Sequence, residues 1–330
     1  MSTSSSLPHG GRLRAAAHQF HIPLRHWLDL STGINPLGWP VPPLPAEVWR
    51  RLPEEDDGLA MASLAYFGGK RVLPLAGSQA AIQVLPQLFA PRRVGILSPC
   101  YAEHLKAWIA AGHQVESIAY EDAEQAVERL DVLLLTNPNN PTGRIVPPAT
   151  LRNWHARLAA RGGLLVVDEA FIDATPELSV LGDARQPGLV VLRSLGKFWG
   201  LAGIRCGFIA AEDRLLDQLN DRLGPWTVSG PARWVAQRAL ADRAWRETTA
   251  ANLHAASARL AALLEAYGLP SPSGCALFHW VPTPLAHELF IAFAQRAVLV
   301  REHDGGLRIG LPGAEEEWTK FESVLAEVMR

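Results

Sequence analysis

The chain has 330 residues, of which 48% are hydrophobic and 19% charged, and its formal net charge is -2 at pH 7. That length suits about two domains around a sizeable core, and a charge so near zero supplies no field that would gather nucleic acid or an anionic membrane surface. The three cysteines, Cys100, Cys206 and Cys275, form no CxxC pair, which excludes a disulfide framework and a zinc site and fits a reducing cytosol.

The opening MSTSSSLPHGG carries no basic segment followed by an apolar run, and no stretch approaches the ~18 apolar residues of a membrane span. A cytoplasmic protein with no membrane partner is expected. Residues 1–50 read as an N-terminal arm, because the Pro-rich NPLGWPVPPLPAEV at 35–48 suits neither helix interior nor central strand. Over 51–225 apolar runs recur: VLPL at 72–75, VGIL at 94–97, VESIAY at 115–120, VLLL at 132–135, LLVV at 164–167, LVVL at 189–192 and CGFIAA at 206–211. Helical segments such as QAAIQVLPQLF, EDAEQAVERL and TLRNWHARLAAR separate most of them, and strands buried on both faces that alternate with helices predict a mostly parallel α/β sheet. From about 231 a single long helical pattern runs to Gly268 and Pro270. Short strands at ALFHWV, VLVRE and LRIG follow, so 226–330 reads as a smaller α+β domain.

Polar residues stand at three strand ends of the larger domain, where open α/β sheets place ligands. Gly77 and Ser78 open a helix after a strand, where free backbone N–H groups suit a phosphate. TNPNNPTG at 136–143 is an Asn- and Pro-dense turn. Asp168 and Glu169 end LLVVDEAF, and a carboxylate there is expensive unless a cation or donor waits for it. Lys197, in RSLGKFWGLAGIRCGF, sits among small and apolar residues after a buried strand. No GxGxxG follows a strand, and Lys197 lacks the neighbours of a phosphate loop. A phosphate site, a lysine and a carboxylate together ask for a ligand with three matching handles, and pyridoxal phosphate has them.

NPNNPTG, DEAF and SLGKFWGLAGIRCGF, in that order and spacing, resemble the fold type I pyridoxal-phosphate enzymes of the histidinol-phosphate aminotransferase branch. The resemblance implies pyridoxal 5'-phosphate as cofactor. Lys197 is then its covalent attachment point, with an amine kept neutral by partial desolvation. Asp168 pairs with the ring nitrogen and Asn140 with the ring's phenolate oxygen. Ser194, Arg205 and the backbone at Gly77, Ser78 and Gln79 hold the phosphate, and Tyr101 stacks on the ring face. The resemblance also implies a homodimer, with the Pro-rich arm placed to reach the partner. Two positions depart from the pattern. Leu52 stands where relatives carry a tyrosine that reaches the partner's cofactor phosphate, and Phe171 stands where a tyrosine often follows DEA.

HGG at 9–11 and DLSTGINPLG at 29–38 resemble the threonine-phosphate decarboxylase family of cobalamin biosynthesis within this branch. That likeness implies a phosphorylated amino-acid substrate, L-threonine O-3-phosphate, losing its α-carboxylate to give (R)-1-amino-2-propanol O-2-phosphate. By the same likeness His9, Gly10 and Gly11 close over the substrate phosphate, Asn140 lies next to the substrate, Arg308 binds its carboxylate and Arg301 its anionic groups. The alternative on this scaffold is amino transfer from histidinol phosphate. A non-catalytic binding module of the same fold would have no need of Lys197, Asp168, Asn140 and Arg205 together.

Overall fold

The computed structural model describes residues 10–271 and 273–330. Numbered along the chain, its strands are β1 (Leu28–Asp29), β2 (Leu73–Leu75), β3 (Arg93–Ser98), β4 (Gln114–Ala119), β5 (Val132–Thr136), β6 (Leu164–Asp168), β7 (Leu189–Ser194), β8 (Gly207–Ala210), β9 (Ser273–Cys275), β10 (Phe278–Pro282), β11 (Val298–Leu299), β12 (Arg301–His303) and β13 (Gly306–Gly310). Two compact units divide the fold. The larger takes Gly38–Asn140 and Arg144–Thr249. The other takes the described residues up to Leu37 with Pro141–Gly143 and Ala250–Arg330.

The larger unit is built on a seven-stranded sheet in the order β2-β8-β7-β6-β5-β3-β4. Every residue of β5 and β6 is buried, as uninterrupted runs such as VLLL and LLVV require when both faces of a sheet are covered. β3, β4, β5, β6 and β7 run parallel, whereas β8 is antiparallel to both of its neighbours. The register sets Thr136 beside Asp168 and Asp168 beside Leu192. The carboxyl ends of β5, β6 and β7 are therefore level, and the residues after them form one rim.

Helices depart from the sequence reading in three places. The pattern from 231 is two helices, Gly230–Ala241 and Arg243–Ala266, broken at Asp242, whose carboxylate accepts from Trp245 N–H at 3.0 Å and from Trp39 Nε1 at 3.0 Å. QAAIQVLPQLF is α-helical only over Ser78–Val84 and tightens to a 3-10 turn at Leu85–Leu88, where Pro86 falls. EDAEQAVERL gives a 3-10 turn and the single turn Ala123–Ala126. The helices Leu13–Phe20 and Leu59–Phe67 went unread in the sequence.

In the smaller unit four antiparallel strands lie in the order β12-β13-β10-β9. VLVRE is two strands: β11 pairs parallel with β1, and β12 pairs with β13. One face of the sheet contributes Leu307, Ile309 and Val281 to a core that also holds Phe290, Phe293, Phe321 and Leu325, the last four from the helices Ala286–Ala294 and Glu315–Val328.

Candidate active site

Asp168 ends β6 with 4% of its surface exposed. Its Oδ1 accepts from Ala170 N–H at 3.0 Å, and its Oδ2 lies 2.9 Å from His104 Nε2. His104, itself 1% exposed, stands one helical turn after Tyr101, on the helix Ala102–Ala110. The carboxylate is thus fixed from two sides, and each oxygen keeps a lone pair for a ligand. The Tyr101 hydroxyl donates to Gln79 Oε1 at 3.2 Å, and burial, with Glu103 and Asp168 beside it, raises the phenol above its ordinary value.

The turn after β5 is held by its own side chains. Asn137 Nδ2 donates to Val146 O at 3.1 Å and Asn137 Oδ1 accepts from Val146 N–H at 2.9 Å. Asn139 Nδ2 donates to Thr136 Oγ1 at 3.0 Å and to Pro99 O at 2.9 Å. Asn140 N–H donates to the same Thr136 hydroxyl at 3.1 Å. This bracing aims Asn140 at the cavity that it lines with Thr136, Asp168 and Phe171. Lys197 enters the same cavity from the loop after β7, its Nζ 5.4 Å from the centre of the Phe171 ring. Ser194 Oγ, at the end of β7, accepts from Gly196 N–H at 3.2 Å.

Two glycines clear the remaining wall. Gly77 has φ +76°, and a Cβ there would stand 2.6 Å from Arg205 Nη2. A Cβ on Gly207 would stand 2.4 Å from Ser78 N. Backbone, amide and guanidinium therefore crowd one corner, with Ser78, Gln79, Ser194 and Arg205 all on the cavity surface. Amide donors and an arginine suit a phosphate, Lys197 suits an aldehyde and Asp168 a ring N–H. These residues fit pyridoxal phosphate.

A second layer of charge lies behind Asp168. Glu169 is fully buried, accepts from Val180 N–H at 2.8 Å, and has Arg193 Nη1 at 3.4 Å from its Oε2. Arg193 also pairs with Asp173, which accepts from the Tyr66 hydroxyl at 2.7 Å, and its guanidinium lies 4.7 Å from the Phe67 ring centre. Burial pushes Glu169 up to about 7 against the pull of Arg193, Ser179 and Val180. The cation expected near the strand end is therefore Arg193, and it serves Glu169. His104, Thr136 and this network were not foreseen. The signals were a histidine three residues after Tyr101 and an arginine alone in LVVLRS, and neither names its partner.

The substrate candidates lie in the smaller unit. Arg308, 6% exposed on β13, donates through Nη2 to Ser31 O at 2.6 Å. Burial, then Arg301, lower it to about 10. Arg301 stands directly opposite on β12 and borders a small cavity with Gly10 and Ser31. Gly11 N–H donates to Ser31 Oγ at 2.8 Å. His9 lies outside the described residues.

The sheet, the lysine loop and the carboxylate at the end of β6 define a fold type I pyridoxal-phosphate enzyme, and the chain belongs to the aminotransferase class I and II family, whose model matches residues 57–320. Within it the chain is 53% identical to the threonine-phosphate decarboxylase of Pseudomonas aeruginosa, across 97% of each chain. It is 41% identical to the threonine-phosphate decarboxylase of a Sinorhizobium species, over 93% of this chain and 94% of that one. The fold also matches that of histidinol-phosphate aminotransferase from Sinorhizobium meliloti, solved in complex with pyridoxal-5'-phosphate, with a TM-score of 0.81 at 19% identity and 99% of each chain covered.

Proposed function

We infer that this chain is a pyridoxal-phosphate-dependent carboxy-lyase that converts L-threonine O-3-phosphate to (R)-1-amino-2-propanol O-2-phosphate for cobalamin biosynthesis. One observation carries the reading: identity of 53% over 97% of both chains to a protein named for that reaction. The bound cofactor supplies an electron sink for the pair left on Cα when the carboxylate departs. Asp168, braced by His104 and Ala170, holds a proton on the cofactor's ring nitrogen. Lys197 supplies the amine that carries the cofactor, and its Nζ is placed in the cavity to return a proton to Cα. Asn140 donates to the cofactor's phenolate oxygen and lies beside the substrate, Tyr101 covers the ring, and Ser194, Arg205 and the amides of Gly77, Ser78 and Gln79 hold its phosphate.

Toward the substrate, Arg308 takes the carboxylate and Arg301 the anionic groups, with His9, Gly10 and Gly11 against the substrate phosphate. Guanidinium groups match both anions in geometry and charge. The enzyme acts as a homodimer in the cytoplasm; exposed apolar side chains on the larger unit support the dimer, and three cysteines in no CxxC pair fit a reducing compartment. No helix among the described residues is long and apolar enough to cross a membrane.

A direct assay tests the reaction. Carbon dioxide is expected from L-threonine O-3-phosphate with no 2-oxo acid present, and far more slowly from threonine, which lacks the phosphate. Efficient amino transfer from histidinol phosphate to 2-oxoglutarate, with no carbon dioxide from threonine phosphate, would overturn the reading.

A further inference from the structure

The sheet face that carries Arg301 and Arg308 also carries the Cys275 thiol, opposite Phe278, and one imidazole. Residues directly opposite on antiparallel strands share a face, as do residues two apart on one strand. The pairs Arg301 with Arg308 and His303 with Gly306, and Arg308 with Trp280, therefore put His303, both arginines and Trp280 on the same side. Gly306 makes the space, since a Cβ there would stand 2.7 Å from Trp280 Cζ2. The indole lies over this glycine and meets the His303 ring edge-on, with centres 6.0 Å apart. Among the described residues His303 Nε2 is buried with no hydrogen-bond partner. A buried imidazole nitrogen left in that state costs free energy that a ligand can return.

Charge around the histidine comes from four strands and a helix. Burial, then Arg308 and Arg301, push His303 down to about 3, so it is neutral at neutral pH. Burial lowers Arg301, against the pull of Glu302. Glu302 belongs to the other face of β12 and lies 3.2 Å from His287 on the helix Ala286–Ala294. Asp29 on β1, raised by burial, accepts from Ser31 and faces Arg308. The Cys275 thiol on β9, pushed up to about 12 by burial, faces Arg308 too. Burial and the two guanidinium groups together keep the proton off His303, and anionic charge seated on the guanidinium groups opposes their part of that effect.

We propose that His303 is a specificity-determining residue of this anion site, which takes a proton from solvent when the substrate carboxylate settles on Arg308 and the phosphate dianion on Arg301, and so favours a phosphate monoester dianion over a neutral or singly charged group. The proposal rests on the phosphorylated substrate inferred above. No covalent bond changes; one proton moves from water to the imidazole as the anion binds.

Sulfate tests it, because it stays a dianion across the working pH range. Calorimetry on the holoenzyme, whose cofactor fills its own phosphate site, is expected to show sulfate affinity rising as pH falls from about 8.5 to about 6, approaching tenfold per unit for uptake of one proton. His303→Gln and His303→Asn should give a flat profile, matching the wild type near pH 8.5 and binding about tenfold or more weakly near pH 6. An unchanged visible cofactor band and melting temperature establish that the variants fold. The wild-type pH slope surviving in both variants would overturn the proposal, as would a flat wild-type profile or no sulfate binding. The function itself fails differently: no carbon dioxide from threonine phosphate, with the sulfate slope intact and lost in the variants, removes the reaction and leaves His303 as the proton-binding residue of the site.

Discussion

Asp168 and Lys197 reach one cavity from adjacent strand ends, and they are held in different ways. Asp168 is pinned at both oxygens, so its replacement by Asn keeps the shape and removes the charge. Asp168→Asn is expected to retain cofactor and fold while turnover falls on the order of 100- to 10,000-fold. A steady-state assay beside a thermal melt checks this, and an unchanged rate sinks the role given to the carboxylate. Gly77 is held through its backbone, its N–H donating to Leu75 O at 2.7 Å. With φ +76° and Arg205 Nη2 at 2.6 Å from any Cβ, Gly77→Val must strain the backbone and displace the guanidinium, at a cost of about 1–3 kcal/mol. Cofactor titration should then show binding weaker by roughly tenfold or more, since 1.4 kcal/mol is a factor of ten. Equal affinity would mean that Arg205 can leave that corner without loss.

Between β6 and β7 the buried group Glu169, Arg193 and Asp173, with the half-buried Tyr66, ties together the two strand ends that present Asp168 and Ser194. Arg193→Met leaves two buried carboxylates facing an apolar side chain and is expected to cost about 3–5 kcal/mol, read as a lower melting temperature. Glu169 adds a pH term. Its folded value, about 7, lies above that of a free glutamate, so between the two values the folded chain holds a proton that the unfolded chain has released. Stability from this group is complete in the acid range and is lost as pH rises through about 7. Glu169→Gln should flatten the fall in melting temperature between about pH 5 and about pH 8, and an unchanged slope would assign the fall to other groups. The sequence announced the strands well, because β5, β6 and β7 are buried on both faces and must be apolar throughout. It said less about direction, as β8 is apolar whichever way it runs. The break at Asp242 was hidden because one Asp inside a helical pattern is cheap, and its bond to Trp39 comes from 203 residues away. Lys197 and Asp168 stood out as charges in apolar surroundings. His104 did not, since its partner is 64 positions on and nothing local betrays the pairing.

At the scale of the whole molecule the exposed side chains of the larger unit carry the argument. Trp49 is 67% exposed, Leu52 64%, Met61 74% and Trp226 57%, and large apolar side chains exposed together mark an interaction surface. Two of them are linked: Leu52 and Pro53 border one hollow against the helix Gly230–Ala241, and Pro53 borders a second with Ala60 and Trp226. A second copy of the chain is the occupant expected there, as closed twofold dimers are the commonest assembly of soluble chains. Leu52 can bury apolar surface in such an interface but offers no hydrogen bond, so its contribution should be packing alone. Light scattering is expected to give the mass of two chains at micromolar concentration, and Leu52→Glu with Met61→Glu should shift the protein toward one chain, because two carboxylates would be desolvated at the interface. Leu52→Tyr should keep the dimer and leave turnover intact, which separates packing at this position from any demand for a donor. A fully active wild-type monomer would remove the homodimer and return these four side chains to the solvent-exposed surface.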